Sequence, residues 1–186
     1  MTGPSGAGKG TLIRELLERV PELETTVSAT TRERRSGEVD GREYHFVPEE
    51  EFARRVEAGE FLEWVRYVSG HRYGTLWSEL ERLTARGKVA VLELETEGAL
   101  RVKAKEPEAA VTIFISAPVA ELERRLRERA TESAGEIGDR VELARRQLRQ
   151  AGEFDHVIEN DDVGRAADEL VGVVRRVLDT AATMRP

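Results

Sequence analysis

An α/β fold of three layers around a parallel central sheet is predicted by three features of this 186-residue sequence. The run GPSGAGKGT carries G-x-x-x-x-G-K from Gly3 to Lys9, the spacing of a loop that cradles phosphate between a strand and a helix. The runs KVAVLELE and AAVTIFIS are short, β-branched and nearly continuously apolar, as strands covered on both faces are. Helical patterns lie between and after them, and strands alternating with helices imply parallel pairing.

From the N-terminus, Lys9 to about Val20 sets Leu12, Leu16, Leu17 and Val20 at helical spacing, and Pro21 closes the segment. A helix starting at the phosphate loop follows. The fold calls for an apolar strand before Thr2, central in the sheet; none is present, so this first core strand is expected upstream of Met1 in the natural chain. The stretch TTVSATTRERRSGEVDGREYHFV mixes β-branched residues, turn signals at Ser36-Gly37 and Asp40-Gly41 and alternating aromatics, which predicts short strands joined by polar loops. PEEEFARRVEAGEF opens on Pro48 and three acids, which suit a helix N-terminus, and stops at Gly59. Further helices are predicted over Trp77 to Arg86, Pro118 to Arg129, Ile137 to Gln150 and Asp162 to about Ala182.

Composition narrows the function classes. With 29 Lys+Arg against 36 Asp+Glu the formal charge is −7, which argues against nucleic-acid binding by bulk attraction. An anionic ligand must then be captured by local basic clusters. Cys is absent, so neither a disulfide nor a thiolate metal site is available. No apolar run reaches membrane-spanning length and no signal peptide opens the chain, so a cytoplasmic protein with no membrane partner is expected.

Phosphate groups concentrate charge in a small volume, and backbone N–H groups at a helix N-terminus plus one cation hold them well. Gly3, Gly6, Gly8 and Gly10 let the backbone approach, and Lys9 reaches the outer phosphates. A GTPase switch does not fit, because a base-reading N-K-x-D cannot be built from a single Asn, Asn160, that is followed by Asp. A second cluster combines Arg32 and Arg35 with Tyr44 and Tyr73. Two guanidinium forks and two phenol hydroxyls suit a dianionic monophosphate, since Arg binds phosphate bidentately and Tyr donates without adding charge. Glu93 and Glu95 alternate along KVAVLELE and are expected on one side at the strand's C-terminal end, where α/β folds bind ligands. Arg125 and Arg129 are i and i+4 on one helix, and Arg140 enters the next after the turn-prone ATESAGEIG. On spacing alone such arginines form a solvated face.

Five ordered motifs, GPSGAGKGT, SATTRERRSGEVDGREYHF, EFLEW, YGT and RERATESAGEIGDR, together resemble guanylate kinase over essentially the whole chain. The resemblance implies transfer of a phosphoryl group from ATP to GMP, and to dGMP, with Mg²⁺ as cofactor and a place in purine nucleotide metabolism. It implies a core of residues 1–30, 87–124 and 151–186, a small GMP-binding subdomain of mixed strands over about 31–86, and a helical lid over about 125–150. ATP is expected on Gly3, Ser5, Gly6, Ala7, Gly8, Lys9, Gly10 and Thr11, with Asn160 near its base. Turn and N-cap duty in VIENDD, especially for Asp162, is an equally good account of that segment.

For GMP the resemblance implies Arg32, Arg35, Tyr44 and Tyr73 at the phosphate, with Glu63, Ser28, Thr75 and Glu95 at guanine. One carboxylate facing the adjacent N1–H and N2–H₂ donors explains why guanine is chosen. Lys9, Arg125, Arg129 and Arg140 supply catalytic charge, and Glu93 orders Mg²⁺-bound water. One position departs from phosphate loops in general and two from the family pattern. Gly10 stands where phosphate loops usually place a Mg²⁺-touching hydroxyl; G-K-G-T resembles the adenylate kinase loop, which implies a water-held metal with Thr11 on a phosphate oxygen. Ala130 replaces a usual glycine at the lid hinge, and Glu95 is a methylene longer than the usual Asp. The alternatives are a noncatalytic module binding a phosphorylated partner and a kinase for another monophosphate; the sequence names no protein partner.

Overall fold

The computed structural model describes residues 1–67, 70–128 and 134–183, apart from the side chains of 134–137. In chain order the elements are α1 (Lys9–Arg19), β1 (Leu23–Thr25), β2 (Ala29–Thr30), β3 (His45–Phe46), α2 (Glu49–Glu57), β4 (Phe61–Arg66), β5 (Arg72–Leu76) and α3 (Trp77–Ala85). They continue with β6 (Val89–Val91), α4 (Thr96–Lys105), β7 (Ile113–Ser116), α5 (Val119–Glu128), α6 (Ala134–Arg149), a 3-10 turn at Ala151–Glu153, β8 (His156–Glu159) and α7 (Val163–Thr183). The chain divides into two compact units, Met1–Pro21 with Leu94–Pro186, and Glu22–Glu93. Segments 22–30 and 87–93, expected with the core, fall in the second unit, where β1 and β6 pair.

The first unit is built on the parallel pair β7 and β8, in register from Ile113 with His156 to Ser116 with Glu159. Thr2 bridges Phe114 in parallel: its N–H donates to the Ile113 carbonyl at 2.9 Å, and its own carbonyl accepts from Ile115 at 2.8 Å. The Met1 carbonyl accepts from Leu94 N–H at 3.0 Å, so the chain ahead of the phosphate loop is tied on two sides. Phe114 is fully buried and packs with Ala99 and Phe154. α1 buries Leu12, Ile13 and Leu16, the face its leucine spacing predicts, and Val20 caps it by donating to Leu16. Asp162 starts α7 as an N-cap, its Oδ1 accepting from Arg165 N–H at 2.8 Å.

The second unit holds the parallel pair β1 and β6 and a four-stranded mixed sheet in the order β3-β2-β5-β4. β4 and β5 are antiparallel, setting Glu63 opposite Thr75 and Trp64 opposite Gly74. Phe52 of α2, fully buried, stacks on Phe61 with ring centroids 4.4 Å apart and packs with Ala29 and Leu76. Glu79 of α3 is a buried carboxylate that accepts from Val27 N–H at 2.8 Å and from the Arg82 guanidinium.

Two expectations need correction. The strand in KVAVLELE stops at Val91, because its ladder partner β1 has only three residues to offer, Leu23 to Thr25. Glu93 and Glu95 therefore lie beyond the strand and do not share a strand face; Glu93 ends the second unit, and Glu95 is the cap residue of α4 in the first. Helix α4 itself has no counterpart among the predicted helices. Its buried face is Thr96, Gly98, Ala99 and Val102, too small and polar to register as an apolar stripe.

Candidate active site

In the first unit the phosphate loop takes its shape from glycines that no other residue could replace. Gly3, Gly6 and Gly8 have φ of 142°, 89° and 85°. A Cβ on Gly3 would stand 2.1 Å from the Ile115 carbonyl oxygen, and one on Gly8 would stand 2.3 Å from Asn160 Nδ2. Gly8 is the N-cap of α1, so the N–H groups of the helix's first turn open onto the loop. Ala7 is fully buried beneath it and Ser5 is exposed above. Gly10 has open space around its Cβ position, and Thr11 follows, partly buried. Lys9 Nζ donates to the loop's own carbonyls, Gly3 at 2.7 Å and Pro4 at 3.2 Å, which holds its ammonium against the loop.

Two side chains brace that loop from elsewhere in the unit. Asn160 is 1% exposed, and its Nδ2 donates to the Ala7 carbonyl at 2.7 Å. Arg125 Nη1 donates to the Gly6 carbonyl at 3.1 Å and Nη2 to the Asn160 carbonyl at 3.4 Å, while Nε pairs with Glu121 at 2.7 Å. Arg124 and then Arg125 draw the Glu121 carboxyl down to about 2. Arg124 and Arg127 are exposed and occupied by acids on their own helix, as a solvated face predicts. Arg140 lies partly buried on α6, and Glu95 is exposed and accepts a long 3.5 Å contact from Gln147. Arg129 and the hinge position Ala130 lie outside the described residues.

In the second unit the structure brings together Ser28, Arg32, Tyr44, Glu63, Tyr73 and Thr75 on or beside the mixed sheet. Glu63 is 6% exposed, and its Oε1 accepts from both the backbone N–H and the hydroxyl of Thr75, each at 3.0 Å. Ser28 precedes β2, with its carbonyl accepting from His45 N–H. The Tyr44 and Tyr73 rings meet edge to face at 5.8 Å. Burial, and then the neighbouring Tyr73, push the Tyr44 phenol up, so it stays a neutral donor at physiological pH.

Arg32 Cζ lies 5.5 Å from the ring centroids of both Tyr44 and Phe46, stacked on aromatic faces. A residue sequence reasoning passed over is Glu38. Its carboxylate takes the Arg32 guanidinium in two bonds, 2.8 and 3.1 Å, and accepts Arg35 N–H at 2.7 Å. The acid-after-two-arginines spacing Arg32, Arg35, Glu38 was the available signal. The Arg35 side chain is exposed, as is that of Glu93.

A guanylate kinase family model matches residues 1–177. The guanylate kinase of Rubrobacter xylanophilus is 46% identical over 179 residues, 96% of this chain and 93% of that protein. That of Aromatoleum aromaticum is 48% identical over 176 residues, 94% and 85% of the two chains. Among solved structures, guanylate kinase from Anaplasma phagocytophilum superposes with a TM-score of 0.76 at 30% identity, over 99% of this chain and 84% of that one. Shikimate kinase from Bacteroides thetaiotaomicron, at 17% identity and a TM-score of 0.50 over 96% and 95% of the two chains, shares the fold alone.

Proposed function

We infer the reaction from a plain premise: the chain belongs to the guanylate kinase family. It is an ATP:GMP phosphotransferase, moving the γ-phosphoryl group of ATP to GMP and giving ADP and GDP. The observation that carries the assignment on chemical grounds is the buried Glu63 carboxylate, locked by Thr75, in a unit that also holds the Arg32 and tyrosine cluster. A purine with two adjacent donors and a monophosphate is what such a set reads.

Residue roles follow the chemistry. The phosphate loop from Gly3 to Thr11 holds the ATP phosphates on backbone N–H groups, with Lys9 leaving the Gly3 and Pro4 carbonyls for the outer phosphates. Asn160 serves ATP by holding Ala7 in place. Arg32, Arg35, Tyr44 and Tyr73 take the GMP phosphate, and Glu63, Ser28 and Thr75 take guanine. The acceptor phosphate has a second pKa near 6, so it is already an anion at neutral pH and no general base is needed. The barrier is charge: donor and acceptor phosphates repel, and a loose in-line transfer asks for positioning and positive charge. Lys9, Arg125, Arg129 and Arg140 supply it, and closure of the lid over residues 125–150 keeps water from the phosphoryl group.

Mg²⁺ fits the donors on hand. Among the described residues no three His, Cys, Asp or Glu are grouped to hold a metal alone, whereas the exposed Glu93 carboxylate is a hard donor suited to a cation carried largely by phosphate oxygens and water. Such an ion would supply positive charge for the transfer. dGMP is a second acceptor on the same reading, since it carries the base and phosphate that these residues take. The same reading places the enzyme in cytoplasmic purine nucleotide metabolism.

The test is ADP formation from Mg-ATP with GMP, dGMP, AMP and no acceptor. Turnover dependent on GMP and dGMP, with AMP near background, is expected. Equal turnover with AMP would overturn the guanine assignment, and absence of turnover with every acceptor would overturn the enzyme.

A further inference from the structure

We propose that Glu38 is a positioning residue of the monophosphate subsite, aiming the Arg32 guanidinium and fixing the Arg35 backbone so that both arginines meet a phosphate pre-arranged. The inference rests on the reading of the second unit as the GMP site. Loop 31–43 has little regular structure of its own, and its acids organise it: Asp40 accepts from Phe46 N–H at 2.8 Å, Glu43 from Val39 N–H at 2.6 Å and Glu38 from Arg35 N–H at 2.7 Å. Glu38 differs from the others in the cation it holds. Glu43 pairs with the exposed Arg42, whereas Glu38 grips the well-covered Arg32, whose flat face is already set against Tyr44 and Phe46.

The direction of the effect follows from which hydrogens are used. Glu38 takes Nη1 and Nη2, and the Glu33 carbonyl takes Nη1 at 2.7 Å. Neither acceptor takes Nε, half of the Nε–Nη2 fork that matches two phosphate oxygens, and the guanidinium also bonds the Tyr73 phenol, which the same reading assigns to the phosphate. Carboxylate and phosphate can therefore share the guanidinium from different sides. Two opposed outcomes were possible in principle. Loss of Glu38 removes a nearby negative charge, which favours phosphate, and frees a long side chain and a loop, which disfavours it. The phosphate's charge is met by Arg35 as well as Arg32, so losing one opposing carboxylate gains little, whereas without Glu38 the ordering of both the Arg32 side chain and the Arg35 backbone falls on the binding step. Positioning wins.

The experiment compares wild type with Glu38→Ala, Glu38→Gln and Arg32→Ala in the full chain, by calorimetric titration with GMP and by competition with guanosine, alongside steady-state kinetics. Glu38→Ala is expected to weaken GMP about tenfold, leave guanosine and the KM for ATP unchanged, and keep kcat within about threefold. Glu38→Gln keeps an acceptor for Arg35 N–H and is expected to recover part of the loss; it carries the comparison alone if the alanine variant does not fold. GMP binding equal to or tighter than wild type would overturn the proposal, and so would an equal loss of guanosine, which a general collapse of the unit would produce. Arg32→Ala separates the two levels. If it weakens GMP while the Glu38 variants do not, Glu38 alone fails; if it leaves GMP unchanged, the phosphate reading of the unit fails with it.

Discussion

The side-chain amide of Asn160 donates to the carbonyl of Ala7 at 2.7 Å, joining the end of β8 to the floor of the phosphate loop across 153 positions of sequence. The same amide fills the space where a Cβ on Gly8 would fall, 2.3 Å away. Loop and asparagine are thus one packing unit. Asn160→Ala removes the donor and leaves the Ala7 carbonyl unpaired, which costs about 1–3 kcal/mol. Thermal unfolding is expected to show that loss, and kinetics a raised KM for ATP with the KM for GMP unchanged. A variant of wild-type stability with wild-type KM for ATP would remove Asn160 from the loop's support.

Glu63→Gln tests base choice without touching the fold. An amide oxygen in the Oε1 position still accepts both Thr75 bonds, so stability should change by less than about 1 kcal/mol. The amide NH₂ would then turn donors toward guanine's own donors. Loss of about 10²-fold or more in kcat/KM for GMP is expected, with AMP losing far less. Equal losses for both nucleotides would mean that Glu63 does not read the base.

How much of this was legible in the sequence depends on the separation of the partners. The phosphate loop and α1 were readable because their glycine spacing and leucine periodicity, from Gly3 to Leu16, are local facts, although the side chains that brace the loop are distant in sequence. The pairing of Glu63 with Thr75 depends on hairpin register, which the motifs around each residue do not specify. Glu93 and Glu95 read as a strand face because the apolar alternation continues past Val91; what ends the strand is the shortness of β1, 66 residues earlier, where Thr25 pairs with Val91. Asn160 read as a base contact or a turn residue, since nothing near it in sequence points to Ala7. Helix α4 escaped for a different reason: close packing of Gly98 and Ala99 needs small residues, and these carry little hydrophobic signal.

Asp155 gives a pH dependence with a definite sign. Burial alone would raise its carboxyl, but bonds from the Thr112 hydroxyl, Lys103 and Thr112 N–H outweigh it and hold the group at about 2. A folded-state pKa below the unfolded value contributes stability that is complete above the ordinary carboxylate range and is lost as pH falls through about 2. With the side chain about one-third exposed, solvent screening leaves about 1 kcal/mol. Stability measured by denaturant titration should fall between the ordinary carboxylate pKa and about 2, and Asp155→Asn should flatten that fall. An unchanged acid limb in the variant would show that Asp155 contributes nothing to it.

Gly74 sits beside Thr75 on β5, opposite Trp64, where the hairpin has no room for a methyl group. A Cβ there would stand 2.7 Å from Phe61 Cδ1, 2.8 Å from the Glu63 carbonyl oxygen and 2.8 Å from Trp64 Cβ. Two of these neighbours are backbone or Cβ atoms, so no rotamer change relieves them. Gly74→Ala must spread β4 from β5, and Glu63 moves with its strand. A loss of about 1–3 kcal/mol in stability is expected together with a raised KM for GMP, while the KM for ATP stays near wild type. Gly152→Ala is the matched control, because its Cβ position has nothing within 4 Å and its backbone lies outside the left-handed region. If Gly74→Ala unfolds at the same temperature as wild type and binds GMP equally well, the tight β4–β5 contact does not govern the placement of Glu63.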